Sequence, residues 1–263
     1  QRYFGSVCEL VEAVRQEKEC RPEVIVLAVD IPTGVDADTG FAYTPHIVAD
    51  HTVSIELGKR GIFQFPGRSA CGAIRLVPIG ISGRNRIEFS VIEGQSVPAM
   101  RKRASDAHKG SQGRVLVVGG SAAMPGASAL ATLAALRSGS GLVSRVMKPS
   151  WVGVEVTPEC MNVVLKNSEP SYIEDDVAAL MDAIAVADVV VLGPGLGRAA
   201  ETGRFLQGAL NTVRLLKKWC VLDADALTLI ASHGIDLRGI EGVMTPHPGE
   251  AATMLAVSTA EIQ

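Results

Sequence analysis

RVLVVGGSAAMPGAS, residues 114–128, decides how the chain is read. An apolar run, Arg114–Val118, ends on two glycines, and an alanine-rich stretch at Gly126–Ser138 follows. That order is strand, glycine loop, helix. The order then repeats. Strands are expected at Leu142–Met147, Val189–Leu192, Cys220–Leu222 and Gly242–Met244, and helices at Asp176–Ala187, Glu201–Lys218 and Ala224–Ala231. Short strands alternating with helices of this length imply a mostly parallel sheet with helices on both faces. No internal repeat is visible.

The first third reads differently. Val7–Val14 carries Val7, Leu10, Val11 and Val14 on one helical face. VIVLAVD, residues 24–30, is a continuous apolar run ending on a carboxylate, and Val24–Val29 is expected to be a strand buried on both faces. His51–Leu57 and Ala73–Ile79 are further strands, separated by a loop punctuated with Gly and Pro. Residues 83–109 are polar and basic with little periodicity, so a boundary belongs there. The expected division is residues 1–82, a linker at 83–107, and residues 108–263.

Composition narrows the function. At 263 residues the chain has room for one or two domains, and 47% apolar with 20% charged residues suits a soluble globular protein. A net charge of −3 gives no general reason to expect nucleic acid or an anionic membrane as partner. The run Arg101–Lys102–Arg103 reads as a solvated part of the linker. Cys8, Cys20, Cys71, Cys160 and Cys220 are scattered without CxxC spacing, which argues against a zinc site or disulfide framework and for a reducing compartment, the cytoplasm. No apolar run approaches the ~20 residues of a membrane span. Glycine is high, 27 residues, as expected where backbone approaches something closely.

Four loops sit where an open α/β sheet binds ligands, at strand carboxyl ends. GGSAAMPGAS, residues 119–128, is neither a Walker loop nor a dinucleotide fingerprint. It is either a tight turn or an anion site at a helix start. GPGLGR, residues 193–198, places three glycines in five positions. In LDADAL, residues 222–227, Asp223 and Asp225 either hold Mg²⁺ indirectly or cap the next helix, capping being expected for at least one. In MTPHPGE, residues 244–250, two prolines flank His247 and fix its position, and Glu250 falls in the first turn of a helix.

Taken together, HKGSQGRVLVVGGSAAMPGA, VVLGPGLGR, VLDADAL and TPHPGE resemble the ADP/ATP-dependent NAD(P)H-hydrate dehydratases, a family with a ribokinase-like fold. RYFGSVCELVEAV, VLAVDIPTGVDADTG, VADHTVSIELGKRG, PGR and GAIRLVPIGI resemble the carboxyl part of NAD(P)H-hydrate epimerase, a Rossmann-like domain often fused ahead of the dehydratase. The resemblance implies an α/β chain with part of each domain. It implies that Asp30 contacts the hydrated nicotinamide and takes part in proton transfers between the C6 epimers. It implies that Thr33, where the family usually has Ser, lends a hydroxyl to a potassium site, and that Arg2 ends the family's substrate turn. Asp36 and Asp38 then read as turn formers. In the second domain the matching substrate contacts are Ala127, Gly197 and His247. Adenine nucleotide, ADP or ATP, phosphorylates the hydrate's hydroxyl there, and elimination restores the ring. The family's nucleotide-binding segments and late Gly-Asp motif would lie beyond Gln263. An internal fragment is therefore expected, with half of each active site, marginal stability and a tendency to form homo-oligomers. A small-molecule hydroxyl kinase of the same superfold, or a non-catalytic chain, are the alternatives.

Overall fold

Valine-rich runs separated by glycine loops fold into two parallel sheets, and the protein is α/β throughout, as seen in a computed structural model that describes residues 5–81, 90, 103–151 and 158–262. The described residues fall into two compact units, one on each side of residues 91–102.

In the first unit α1 (Ser6–Cys20) precedes β1 (Leu27–Val29), β2 (His51–Ile55) and β3 (Ala73–Val77). The three strands lie in that order and are parallel, with Ala28 opposite Thr52 and Thr52 opposite Ile74. Helix α1 runs beyond the expected Val14. Lys18 near its end pairs with Asp50 at 2.8 Å, and the same Asp50 oxygen accepts the Val26 amide at 2.7 Å. One carboxylate thus fixes both the helix end and the approach to β1.

β1 corrects the expectation of burial on both faces. Ala28 is buried, but Leu27 and Val29 are 57% and 66% exposed. β1 is an edge strand, and successive side chains point to opposite faces. Among the described residues only the Ala28 face is covered. The apolar run therefore gave the strand but not its surroundings.

In the second unit the order is β4 (Arg114–Val118), α2 (Pro125–Arg137), β5 (Leu142–Met147), β6 (Met161–Val164), α3 (Asp176–Val186), β7 (Val189–Leu192), α4 (Ala200–Leu215), β8 (Trp219–Leu222), α5 (Asp225–His233), β9 (Glu241–Met244), α6 (Pro248–Leu255) and α7 (Thr259–Ile262). β6 was not legible in sequence, because four residues mixing Met, Asn and Val carry no period. The six strands are parallel in the order β6-β5-β4-β7-β8-β9. Helix α4 buries Phe205, Leu206, Ala209, Leu210 and Val213 along one stripe, the helical spacing of a core-facing surface. Among the described residues no helix is long and apolar enough to cross a membrane.

Behind the β4 end lies a buried polar cluster. Lys148 pairs with Asp176 at 2.8 Å, with both side chains fully buried. Its ammonium also donates to Asn167 Oδ1 at 2.7 Å and to the Ser171 carbonyl at 2.5 Å. Tyr172 stacks on Phe205 at 4.5 Å and donates its hydroxyl to the Gly119 carbonyl at 2.9 Å. Burial holds that phenol well above its ordinary pKa, so it stays a donor.

Removing one partner of a buried pair strands the other charge. Lys148→Met is expected to destabilise the protein by about 3–5 kcal/mol, and pairing it with Asp176→Leu to recover much of the loss. Urea unfolding of both variants checks this. Equal stability of Lys148→Met and the parent would show that the pair is not the strut inferred here.

Candidate functional site

From β4 the chain winds outward to β5 and β6, then returns past β4 to form β7, β8 and β9. The connections after β4 and β7 therefore diverge, leaving a switch point between two adjacent strands. Open α/β sheets bind ligands in the crevice at such a point, beyond the strand carboxyl ends. The loop Gly119–Ser128 leaves β4, and the loop Gly193–Arg198 leaves β7.

Part of the glycine content serves the packing of these loops against one another. Gly120 N–H donates to the Pro194 carbonyl at 2.7 Å. A side chain on Gly195 would sit 2.7 Å from Ala127 Cβ, and one on Gly193 would sit 1.8 Å from the Asp223 carbonyl oxygen. These positions require glycine for protein–protein contact and say nothing of a ligand. Gly126 and Gly197 differ. A Cβ on Gly126 would meet nothing within 4 Å, and one on Gly197 would meet only Ser121 Cβ at 4.0 Å. Gly197 nevertheless has φ 87°, a backbone suited to glycine. Ala127 follows Gly126 in the first turn of α2, with its Cβ turned toward Gly195. Open space thus lies beside Gly126 in one loop and Gly197 in the other.

Asp225 fixes the second loop from below. It is buried, and it accepts the Gly197 amide at 2.9 Å and Arg198 Nε at 2.6 Å through its two oxygens. Asp223 accepts the Thr245 hydroxyl at 2.8 Å, which ties the β8 loop to the β9 loop. Neither carboxylate caps α5, whose N-cap is Ala224 without a side-chain bond. The capping expectation fails because each carboxylate is taken by a neighbouring loop. Those bonds place one donor on each Asp225 oxygen. Among the described residues no group of three or more His, Cys, Asp and Glu could hold a metal ion.

His247 follows β9 at the same sheet end and is the N-cap of α6. Its Nδ1 accepts the amides of Gly249 and Glu250 at 3.1 and 3.3 Å. Glu250 returns the bond by accepting the His247 amide at 3.0 Å, a capping box built with imidazole. The His247 side chain is 68% exposed, and Nε2 lies 3.4 Å from Glu250 Oε1.

In the first unit Asp30 closes β1 with φ 72°, a left-handed conformation rare outside glycine. Its amide donates to the Val53 carbonyl at 2.8 Å. Its Oδ1 accepts the Ile55 amide at 3.0 Å and the Lys59 ammonium. The Lys59 bond is the main reason its carboxyl is held below the usual carboxylate range, against partial burial. Lys59, in the Gly58–Lys59 turn after β2, escaped the sequence reading; a lysine following a strand end was the available signal. Thr33 is exposed, its carbonyl accepts the Ile47 amide at 2.8 Å, and its hydroxyl makes no hydrogen bond among the described residues. Asp36 forms the expected turn by accepting the Thr39 amide and hydroxyl, both at 2.8 Å. Arg2 lies outside the described residues.

The sequence pattern of the NAD(P)H-hydrate dehydratase family matches residues 115–263, and that of the YjeF-related protein N-terminus matches residues 4–61. Bifunctional NAD(P)H-hydrate repair enzymes of Moorella thermoacetica and Coxiella burnetii are 36% and 37% identical, over 90% of this chain and 46% and 47% of theirs. The chain thus spans about half the length of the curated relatives it matches. The crystal structure of a ribokinase-like superfamily protein from Enterococcus faecalis superposes with TM-score 0.50 and 26% identity, over 60% of this chain and 53% of that one.

Asp225→Asn should weaken its charge-assisted bonds to Gly197 and Arg198, each class of bond being worth about 1.5–3 kcal/mol. The expected result is a destabilised protein and faster hydrogen exchange at the Gly197 amide. Unchanged exchange there would mean that the loop is held elsewhere.

Proposed function

The chain belongs to the NAD(P)H-hydrate dehydratase family, and from that premise we propose that it carries parts of two sites that repair hydrated nicotinamide nucleotides. The first part, residues 1–82, interconverts the R and S hydrates of NADH or NADPH. The second, residues 108–263 after a linker at 83–107, dehydrates the S hydrate at the expense of an adenine nucleotide. The observation that carries the reading is the switch point between the β4 and β7 loops, where Gly126 and Gly197 face open space.

In the second unit Ala127, Gly197 and His247 contact the hydrate. Backbone amides without side chains suit phosphate, because they approach without adding bulk. Bound ADP or ATP supplies the phosphoryl group that turns the hydrate's hydroxyl into a leaving group. Mg²⁺ would be held mainly by the nucleotide phosphates, its common mode of binding, and would offset their charge.

In the first unit Asp30 is the catalytic residue. The carboxyl, held below the usual range mainly by the Lys59 bond, is ionised at neutral pH and is placed by geometry to accept a proton from the hydrate. Arg2 and Asp30 contact the nicotinamide. Thr33 fits one place in a potassium shell: its hydroxyl is a hard oxygen, exposed and without a hydrogen bond among the described residues. We place the protein in the cytoplasm, in keeping with its scattered cysteines, and as a homo-oligomer, which would cover apolar surface such as Leu27 and Val29.

Asp30→Asn in the full natural chain should cut epimerisation of the R hydrate by about 10²- to 10⁴-fold, while dehydration of the S hydrate stays near wild type. Parallel loss of both activities with a falling melting temperature would leave Asp30 a turn residue only.

His247 offers a second test. Asparagine is a good N-cap whereas alanine is not, so His247→Ala should cost about 1 kcal/mol of stability and His247→Asn little. Both should weaken dehydration of the S hydrate. If His247→Asn keeps full dehydratase activity, capping is the residue's whole role.

A further inference from the structure

We propose that Lys59 is a positioning residue for the epimerase site: it fixes the Asp30 carboxylate by one oxygen and leaves the other for substrate. The inference rests on the epimerase reading of the first unit. Three observations carry it.

The first is the distribution of bonds. Ile55 N–H and Lys59 Nζ both donate to Asp30 Oδ1, so Oδ2 accepts from neither. A carboxylate held by one oxygen has a defined plane and a defined free lone pair, as a proton acceptor needs.

The second is the saturation of the ammonium. Besides Asp30, Lys59 Nζ donates to the Ile55 carbonyl at 2.9 Å and reaches Ser54 Oγ at 3.5 Å. Its three protons are matched to three protein oxygens. None remains for a substrate, which assigns Lys59 to holding Asp30 and not to donating a proton itself. Ser54 Oγ in turn donates to the Leu57 carbonyl at 3.3 Å, so the anchor is built into the β2 end.

The third is the backbone. Asp30 sits at φ 72°, and such conformations persist where surroundings over-determine them. The Asp30 amide bond to Val53 and the carboxylate bonds to Ile55 and Lys59 all reach β2 or its following turn. The edge strand β1 does not fix this carboxylate by burial, so the neighbouring strand does so by hydrogen bonds. Among the described residues Lys59 is the charged group acting on Asp30; the Ile55 amide and Ser54 hydroxyl are neutral.

The test uses the full natural chain and chemically prepared R-NADH hydrate. Lys59→Met should lower kcat for epimerisation by about 10²-fold, with KM nearly unchanged, and move the acid limb of the pH–rate profile upward. Lys59→Arg, which keeps a cationic donor, should restore most of the rate and return the acid limb toward wild type. A structural role alone would lower Tm without moving that limb. In parallel, a ¹³C-carboxyl titration should place the Asp30 pKa lower in the wild type than in Lys59→Met. A wild-type rate and limb in Lys59→Met, or an identical Asp30 titration in the two proteins, would overturn the proposal. Should the wild type fail to epimerise the hydrate, the epimerase reading falls. The carboxyl titration would then still decide whether Lys59 holds Asp30.

Discussion

Two glycine loops can share the end of the second sheet only because a glycine stands at each point where they touch. Gly195 lies against Ala127 and Met124, and Gly119 against the Pro194 carbonyl. Any Cβ at these points would force the loops apart, and the bond from the Gly120 amide to Pro194 would break. This contact fixes where the β4 and β7 connections diverge, and with it the open space beside Gly126 and Gly197. The rest of the unit supports it from two sides. Asp225 holds the β7 loop through the Gly197 amide, and Tyr172 holds the β4 loop through the Gly119 carbonyl. Tyr172 is itself set by the Phe205 stack and stands beside the Lys148–Asp176 pair.

The first unit solves the same problem with charge. Among the described residues its sheet has three strands, and its edge strand is open on one face. Packing alone does not fix the carboxylate at the strand end, so hydrogen bonds from β2 and the turn after it do so. Asp50 acts comparably at the other end of β1, holding the Val26 amide and the Lys18 ammonium on one oxygen. Carboxylates bracket the strand, each engaged by a lysine and a backbone amide.

Period and punctuation were enough to read the alternation of the second unit. β4, β5 and β7 fall at their expected residues, since valine runs bounded by glycine leave little choice. What the sequence could not supply was partner identity. Asp223 and Asp225 read as helix caps by local rules, yet loops distant in sequence claimed their oxygens. VIVLAVD reads as a doubly buried strand because the run is apolar, but burial depends on what else packs there. Lys59 went unread for the same reason: it lies 29 positions from Asp30, and its place after a strand end does not by itself announce the pair. His247 was legible as a rigidly held side chain from its prolines, but not as a cap, since imidazole rarely fills that role.

The cap at α6 also decides what the His247 ring is able to do. Nδ1 receives two backbone amides, so its lone pair is spent and the ring proton resides on Nε2. The exposed edge of the imidazole is therefore a donor. It can hold an oxygen of a bound molecule in competition with Glu250 Oε1. Helix start and ring orientation are thereby one property: the bonds that begin α6 also aim the donor edge of the imidazole outward.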